Sequence, residues 1–186
     1  MKRLVLFSGG VESTALLTLA NPERDVVLFV DATGEMSTAL QADARRVAKS
    51  MGFELKSGFL ATGATGSTIS PMYQLYWLLA VASVRVKQTP DITQVWYGLH
   101  AGEPHAERVQ EDFVRLREAW KIVHPNVLLR WPLYSKTKEE QWELIPAATK
   151  KLVRNCDFVR NCGHCPKCTE LKALPGSFWS DAVSAR

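Results

Sequence analysis

The chain has 186 residues, enough for one sizeable core, and its 46% hydrophobic and 23% charged residues lie close to ordinary globular values. No segment has the low hydrophobicity that forces disorder, so the chain is expected to fold by itself. Lys and Arg number 23 against 19 Asp and Glu, and a net charge of +4 favours anionic ligands without coating a surface for nucleic acid, so direct nucleic-acid binding is not expected.

The first ten residues, "MKRLVLFSGG", carry two basic residues and the apolar run Leu4 to Phe7. That run is too short for a secretory signal, and nothing later approaches the roughly 18 apolar residues of a membrane span. A soluble, cytoplasmic protein with no membrane partner is expected. The first strand is Arg3–Phe7, followed at once by Ser8, Gly9 and Gly10 and then by a helix over Ser13–Leu19. A strand at Val26–Val30, a helix at Thr38–Met51 and a strand at Phe53–Lys56 come next. Residues 58–70, "GFLATGATGSTIS", are rich in Gly, Ser and Thr and read as a connecting loop.

Beyond it lie a helix at Tyr73–Lys87, a strand at Gln94–Tyr97, a helix at Ala106–Val123 and a strand at Val127–Arg130. A last helix is expected from Thr137, where "TKEE" places Glu140 three residues after a capping Thr, and Pro146 opposes its continuation. Strands alternating with helices imply an α/β, Rossmann-like parallel sheet of five strands with helices on both faces. Ligands of such sheets lie outside the carboxyl ends of the strands. Residues 1–154 form this α/β unit, and a cysteine-rich tail, 155–186, is expected to pack on it.

The carboxyl end of the first strand therefore matters most. Gly9 and Gly10 allow a sharp turn with no Cβ in the way of an anion, while Ser13 and Thr14 open the next helix with hydroxyls and N–H groups. A helix start also carries about half a positive charge, which suits phosphate. There is neither a Walker Lys nor a G-x-G-x-x-G pattern. The plainer alternative is a tight strand-to-helix turn with no ligand.

All four cysteines, Cys156, Cys162, Cys165 and Cys168, fall in thirteen residues, a poor layout for disulfides that staple a fold. The spacing C-x5-C-x2-C-x2-C instead suits four thiolates around a structural Zn²⁺, with Gly163 permitting a tight turn. A Cys₃His site using His164, an iron–sulfur cluster, and scattered thiols remain alternatives.

"FSGGVEST" resembles the "SGGxDS(T)" loop of the PP-loop ATP pyrophosphatases, with Glu12 where that family usually has Asp. Together with the tail "LVRNCDFVRNCGHCPKCTELKAL", it is similar to the 7-cyano-7-deazaguanine synthase (QueC) family, whose tail has a first Cys, a "CGHCxxC" element and a following short helix. "VWYGLHAGE", "EDFVRLREAW" and "WPLYSKTKEEQWEL" agree in order with family landmarks, so the resemblance spans nearly the whole chain. It implies the adenine nucleotide alpha hydrolase-like (HUP) fold and an ATP-dependent C–N ligase of the 7-deazaguanine (queuosine) pathway. Such an enzyme adenylates 7-carboxy-7-deazaguanine, forms the amide with ammonia, and converts it in a second activation to the nitrile.

By this resemblance Ser8, Gly9, Gly10, Ser13 and Thr14 bind the pyrophosphate of ATP, and Glu12 assists Mg²⁺ directly or through water. Lys138 matches the Lys of "PLxxxxK" and stabilises phosphate charge; a solvated Lys at a helix start is the bland alternative. Asp31, with Ala32 and Thr33, lies at the second strand end, where relatives place adenosine, and Gly98, His100 and Glu103 face the same crevice. His100 is the likelier acid–base candidate, because an unperturbed imidazole titrates near neutrality, although a lone loop His is commonly incidental. Tyr73, Tyr76 and Trp77 either stack on a purine-like base or belong to the core.

Departures from the family concern the substrate. "SPMYQ" replaces the family's "PGRN", and "HAGEPHAERV" lacks its acidic, aromatic loop pattern, so a close 7-deazapurine relative is also admitted. Family members are often homodimers, and a homodimer is implied on that ground alone. Other classes remain: a tRNA-modifying sulfurtransferase or amidotransferase of the PP-loop type, and a non-catalytic nucleotide- and zinc-binding module.

Overall fold

A computed structural model describes residues 1–31, 37–59, 71–101, 106–154 and 162–177. Five strands, β1 (Lys2–Phe7), β2 (Val26–Asp31), β3 (Leu55–Phe59), β4 (Ile92–Trp96) and β5 (Leu128–Arg130), pair in parallel in the order β3-β2-β1-β4-β5. β1 is central, which explains why it is apolar without alternation: both its faces are covered. Val5 and Phe7 join Val27, Phe29 and Leu55 in one core, while Leu4 and Leu6 join Leu28, Val30, Val95 and Leu129 in the other.

The helices divide between these cores. α1 (Val11–Leu17) and α2 (Ser37–Ser50) cover the first face, and α3 (Pro71–Gln88) and α4 (Ala106–Val123) cover the second. The chain leaves β1 toward β2 and β3, then returns through α3 to β4 on the other side of β1. The strand order thus reverses between β1 and β4, and the crevice at their carboxyl ends is where sheets of this kind receive ligands. Asp25 fixes the opposite edge, accepting the N–H of Arg3 at 2.9 Å and of Asn21 at 2.7 Å, with the Arg3 guanidinium 2.5 Å away.

The expected α/β class and all-parallel sheet are present, with boundaries shifted by one or two residues at most ends. The largest shift is in β3, expected at Phe53–Lys56 and found at Leu55–Phe59, so Gly58 and Phe59 belong to the sheet rather than to the loop. The ladder to β2, with Phe29 opposite Ser57 and Asp31 opposite Phe59, carries the strand through a sequence that looks like a turn. Gly58 suits this place because a Cβ there would stand 2.6 Å from a methyl of Val81 on α3. Residues 60–70 lie outside the described residues.

After β5 the chain forms α5 (Lys138–Leu144), α6 (Ala147–Lys150) and, near the end, α7 (Pro166–Ala173). The capping box at α5 is present: the Thr137 hydroxyl accepts the Glu140 N–H at 3.2 Å, and the Glu140 carboxylate accepts the Thr137 N–H at 2.7 Å. Pro146 ends that helix and caps the next. Trp142, fully buried, packs with Ile145, Val153, Leu171 and Leu174 in the core of α1 and α2, and its indole N–H donates to the Pro175 carbonyl at 2.7 Å. Leu171 and Leu174 therefore share the core of the α/β unit. Among the described residues no helix is long and apolar enough to cross a membrane.

Candidate functional site

The turn from β1 to α1 is organised around one hydroxyl. Ser13 Oγ accepts the Ser8 N–H at 3.2 Å, lies 3.1 Å from Ser8 Oγ, and donates to the Gly10 carbonyl at 3.2 Å. Gly9 has φ +81°, a left-handed conformation, and a Cβ on it would come within 3.1 Å of Ala44 Cα on α2. Glycine is therefore required there twice over, by backbone sign and by packing. Gly10 caps α1 without a side-chain hydrogen bond. Thr14 is fully buried, and its hydroxyl has no hydrogen-bond partner among the described residues. A buried hydroxyl left without a partner is costly and calls for an explanation.

Beside the turn, Glu12 gathers the charges. Its Oε1 lies 3.2 Å from Lys138 Nζ at the start of α5 and 3.2 Å from His100 Nδ1 in the segment after β4. Burial alone would push the Glu12 carboxyl up. The His100 ring 3.2 Å away, the Lys138 charge and its own backbone N–H together outweigh burial and lower it to about 2. Lys138 shows the converse: burial lowers it, but Glu12 and Glu170 more than compensate, and it is raised above its ordinary value. Both groups are thus charged at neutral pH. Lys138 Nζ also lies 2.5 Å from Oε2 of Glu170 on α7.

Gly98 has a packing role. A Cβ there would stand 2.8 Å from the carbonyl carbon of Glu12 and 2.9 Å from the Ser13 nitrogen, so its absence lets the end of β4 pass directly beneath the start of α1. The next segment is held by Gln141, wholly buried on α5, whose amide donates to the carbonyls of Leu99 at 2.5 Å, Leu133 at 2.9 Å and Lys136 at 3.4 Å. Asp31 closes β2 at the same carboxyl edge as Ser8. Ala32, Thr33 and Glu103 lie outside the described residues, as do the side chains of Tyr73 and Trp77, and Tyr76 is exposed.

The cysteine segment forms a second centre. The sulfurs of Cys162, Cys165 and Cys168 all lie within 4.8 Å of one another, Cys165 and Cys168 buried and Cys162 half-buried. Cys162 Sγ accepts the Cys165 N–H at 3.3 Å, and Cys165 Sγ caps α7 by accepting the Cys168 N–H at 3.4 Å. Gly163, at φ +78°, makes the turn between Cys162 and Cys165, and the Lys172 ammonium closes on its carbonyl at 2.5 Å. Zinc–sulfur bonds of about 2.3 Å set sulfurs about 3.8 Å apart in a tetrahedron, so three sulfurs gathered this closely could hold a metal such as zinc. Cys156, the expected fourth ligand, lies outside the described residues. His164 Nδ1 lies 2.8 Å from the Cys162 carbonyl oxygen and is not part of the sulfur cluster.

The turn, Glu12, Lys138 and the three sulfurs are thus all positions that the sequence singles out. His100, expected at this crevice as an acid–base candidate or an incidental loop His, stands against Glu12, while Glu170 and Gln141 carry no signal in the sequence. Compared with protein-family models and with curated proteins, the chain matches none. The site's chemistry therefore rests on its own residues.

Proposed function

We propose that the protein is an ATP-dependent ligase of the PP-loop type that activates a carboxylate by adenylation, resembling 7-cyano-7-deazaguanine synthase. The observation that carries this reading is the meeting of ionised Glu12 and charged Lys138 at the Ser8–Gly10 turn, in the crevice between β1 and β4. Ser8, Gly9, Gly10, Ser13 and Thr14 would hold the pyrophosphate of ATP, supported by the left-handed turn at Gly9 and by a start of α1 with no side-chain cap. Glu12, kept as carboxylate down to low pH, suits Mg²⁺, which takes carboxylate oxygens and keeps several waters. Lys138 adds the positive charge that a departing pyrophosphate needs.

A carboxylate oxygen is a poor leaving group until it carries a phosphate. In the proposed reaction the substrate carboxylate attacks the α-phosphorus of ATP and pyrophosphate leaves. Ammonia then displaces AMP to give the amide, and a second activation gives the nitrile. The protein's share is positioning and charge neutralisation. The substrate is 7-carboxy-7-deazaguanine or a close 7-deazapurine relative, and the Cys162–Cys165–Cys168 centre holds a structural Zn²⁺ beside this unit.

The zinc-loaded protein should convert ATP, Mg²⁺, ammonia and 7-carboxy-7-deazaguanine to AMP and the amide or nitrile, followed by mass spectrometry. Ser13→Ala should abolish that turnover. A non-catalytic nucleotide-binding module is the second reading, favoured by the prior engagement of Glu12 with Lys138 and His100. ATP binding without AMP, amide or nitrile would favour it and overturn the ligase.

A further inference from the structure

Lys138 connects the two centres. Its ammonium stands between Glu12 of the β1–α1 turn, at 3.2 Å, and Glu170, at 2.5 Å, which follows Cys168 by two residues on α7. α7 is held differently at its two ends. Its C-terminal half is anchored by Leu171 and Leu174 in the core, against Trp142 of α5. Its first turn is built on sulfur, with Cys165 as cap and Cys168 donating its N–H to Cys165 Sγ. Glu170 sits where these two regimes meet.

We propose that Glu170 is a positioning residue that couples metal occupancy of the Cys162–Cys165–Cys168 cluster to the nucleotide turn, by setting where Lys138 stands relative to Glu12. The functional consequence rests on the ATP-dependent reading above. A metal on the three sulfurs fixes the first turn of α7 and so holds Glu170 against Lys138. The ammonium is then shared between two carboxylates, and Glu12 keeps part of its charge for a cation at the turn. With the metal removed, the first turn loosens and Glu170 withdraws. Glu12 is then the carboxylate left beside Lys138, and the ammonium closes on it, since opposite charges shielded from water attract strongly. Coupling of this kind is reciprocal, so ATP must tighten the metal by the factor with which the metal tightens ATP. Glu170 is about half exposed, and ion pairs of that kind are worth little, which sets the expected effect at about fivefold.

The test compares the full chain loaded with zinc and stripped by a chelator. One readout is the rate of Lys138 acylation, followed by peptide mass spectrometry; the other is the dissociation constant for ATP with Mg²⁺. Stripping takes one of two carboxylates from Lys138, a loss of negative charge that outweighs the closer approach to Glu12, so it should speed Lys138 acylation and weaken ATP, each about fivefold. Glu170→Gln should reproduce both changes with zinc still bound, Glu170→Asp should restore them in part, and stripping Glu170→Gln should add nothing further. Zinc content and circular dichroism of the variants report folding. Wild-type acylation in zinc-bound Glu170→Gln, or an equal effect of stripping in that variant and in wild type, overturns the proposal. If the acylation changes appear but ATP does not bind, the ATP reading fails while the Glu170–Lys138 coupling stands.

Discussion

Glu12 Oε1 stands 3.2 Å from Lys138 Nζ, a contact that joins the second residue of α1 to the first residue of α5. Both side chains are largely shielded, at 19% and 14% exposure, so this pair escapes most of the solvent screening that makes surface ion pairs negligible. The capping box at Thr137 starts α5 at Lys138, and Gly98 lets β4 deliver His100 to the other side of Glu12. Two local features of backbone geometry thus set the electrostatics of the turn.

Glu12→Gln should therefore destabilise the protein in a pH-dependent way. The Glu12 carboxyl is depressed from 4.5 to about 2, so its stabilising contribution is complete above 4.5 and is lost as pH falls through 2. The stability gap between wild type and variant, measured by urea unfolding, should be about 2 kcal/mol at neutral pH. It should close as the pH approaches about 2. A gap that persists unchanged at low pH would show that Glu12 acts through packing instead.

Gly98→Ala should cost about 1–3 kcal/mol, because the new methyl meets backbone atoms of Glu12 and Ser13 rather than a yielding side-chain tip. Relief requires α1 to move away from β4, which also shifts the turn. ATP affinity should therefore fall together with stability, and calorimetric titration beside a denaturation curve checks both. A variant that is destabilised but binds ATP normally would separate this packing contact from the proposed nucleotide turn.

Some of this arrangement was legible in the sequence for local reasons. The unbroken apolar run Leu4–Phe7 marks a strand covered on both faces, "TKEE" encodes its own helix start, and the spacing of Cys162, Cys165 and Cys168 encodes a turn that converges sulfurs. What was illegible depends on residues far apart in the chain. β3 runs through Gly58 because β2 supplies the ladder. Glu170 looks like any surface Glu until the fold brings α7 to α5, and Gln141 looks exposed until three carbonyls converge on it.

Gln141→Leu puts that last point to a test. Leu nearly preserves the volume but removes the donor from the carbonyls of Leu99, Leu133 and Lys136 in a wholly buried place. The Lys136 and Leu133 carbonyls keep the Ala101 and Lys136 N–H groups, so the cost falls mainly on the Leu99 carbonyl and should be about 1–3 kcal/mol. The Ala101 N–H, bonded to the Lys136 carbonyl at 2.8 Å, should lose hydrogen-exchange protection more than the strand amides of β2 do. Uniform loss across the sheet would mean that Gln141 serves global stability rather than the segment that carries His100.

Cys168→Ser should remove the metal and loosen α7 at once. Cys168 is fully buried and belongs to a sulfur cluster whose first turn is built from N–H to sulfur hydrogen bonds. A hydroxyl is a poor substitute for thiolate on zinc, so metal analysis should fall from about one zinc ion per chain to a small fraction. Because Leu171 and Leu174 insert into the same core as Trp142, loosening the helix start also weakens their seat. A fall of about 5–10 °C in the melting temperature is expected, matched by chelator treatment of the wild type. If chelation removes zinc yet leaves the wild-type melting temperature unchanged, the cluster binds metal without supporting the fold.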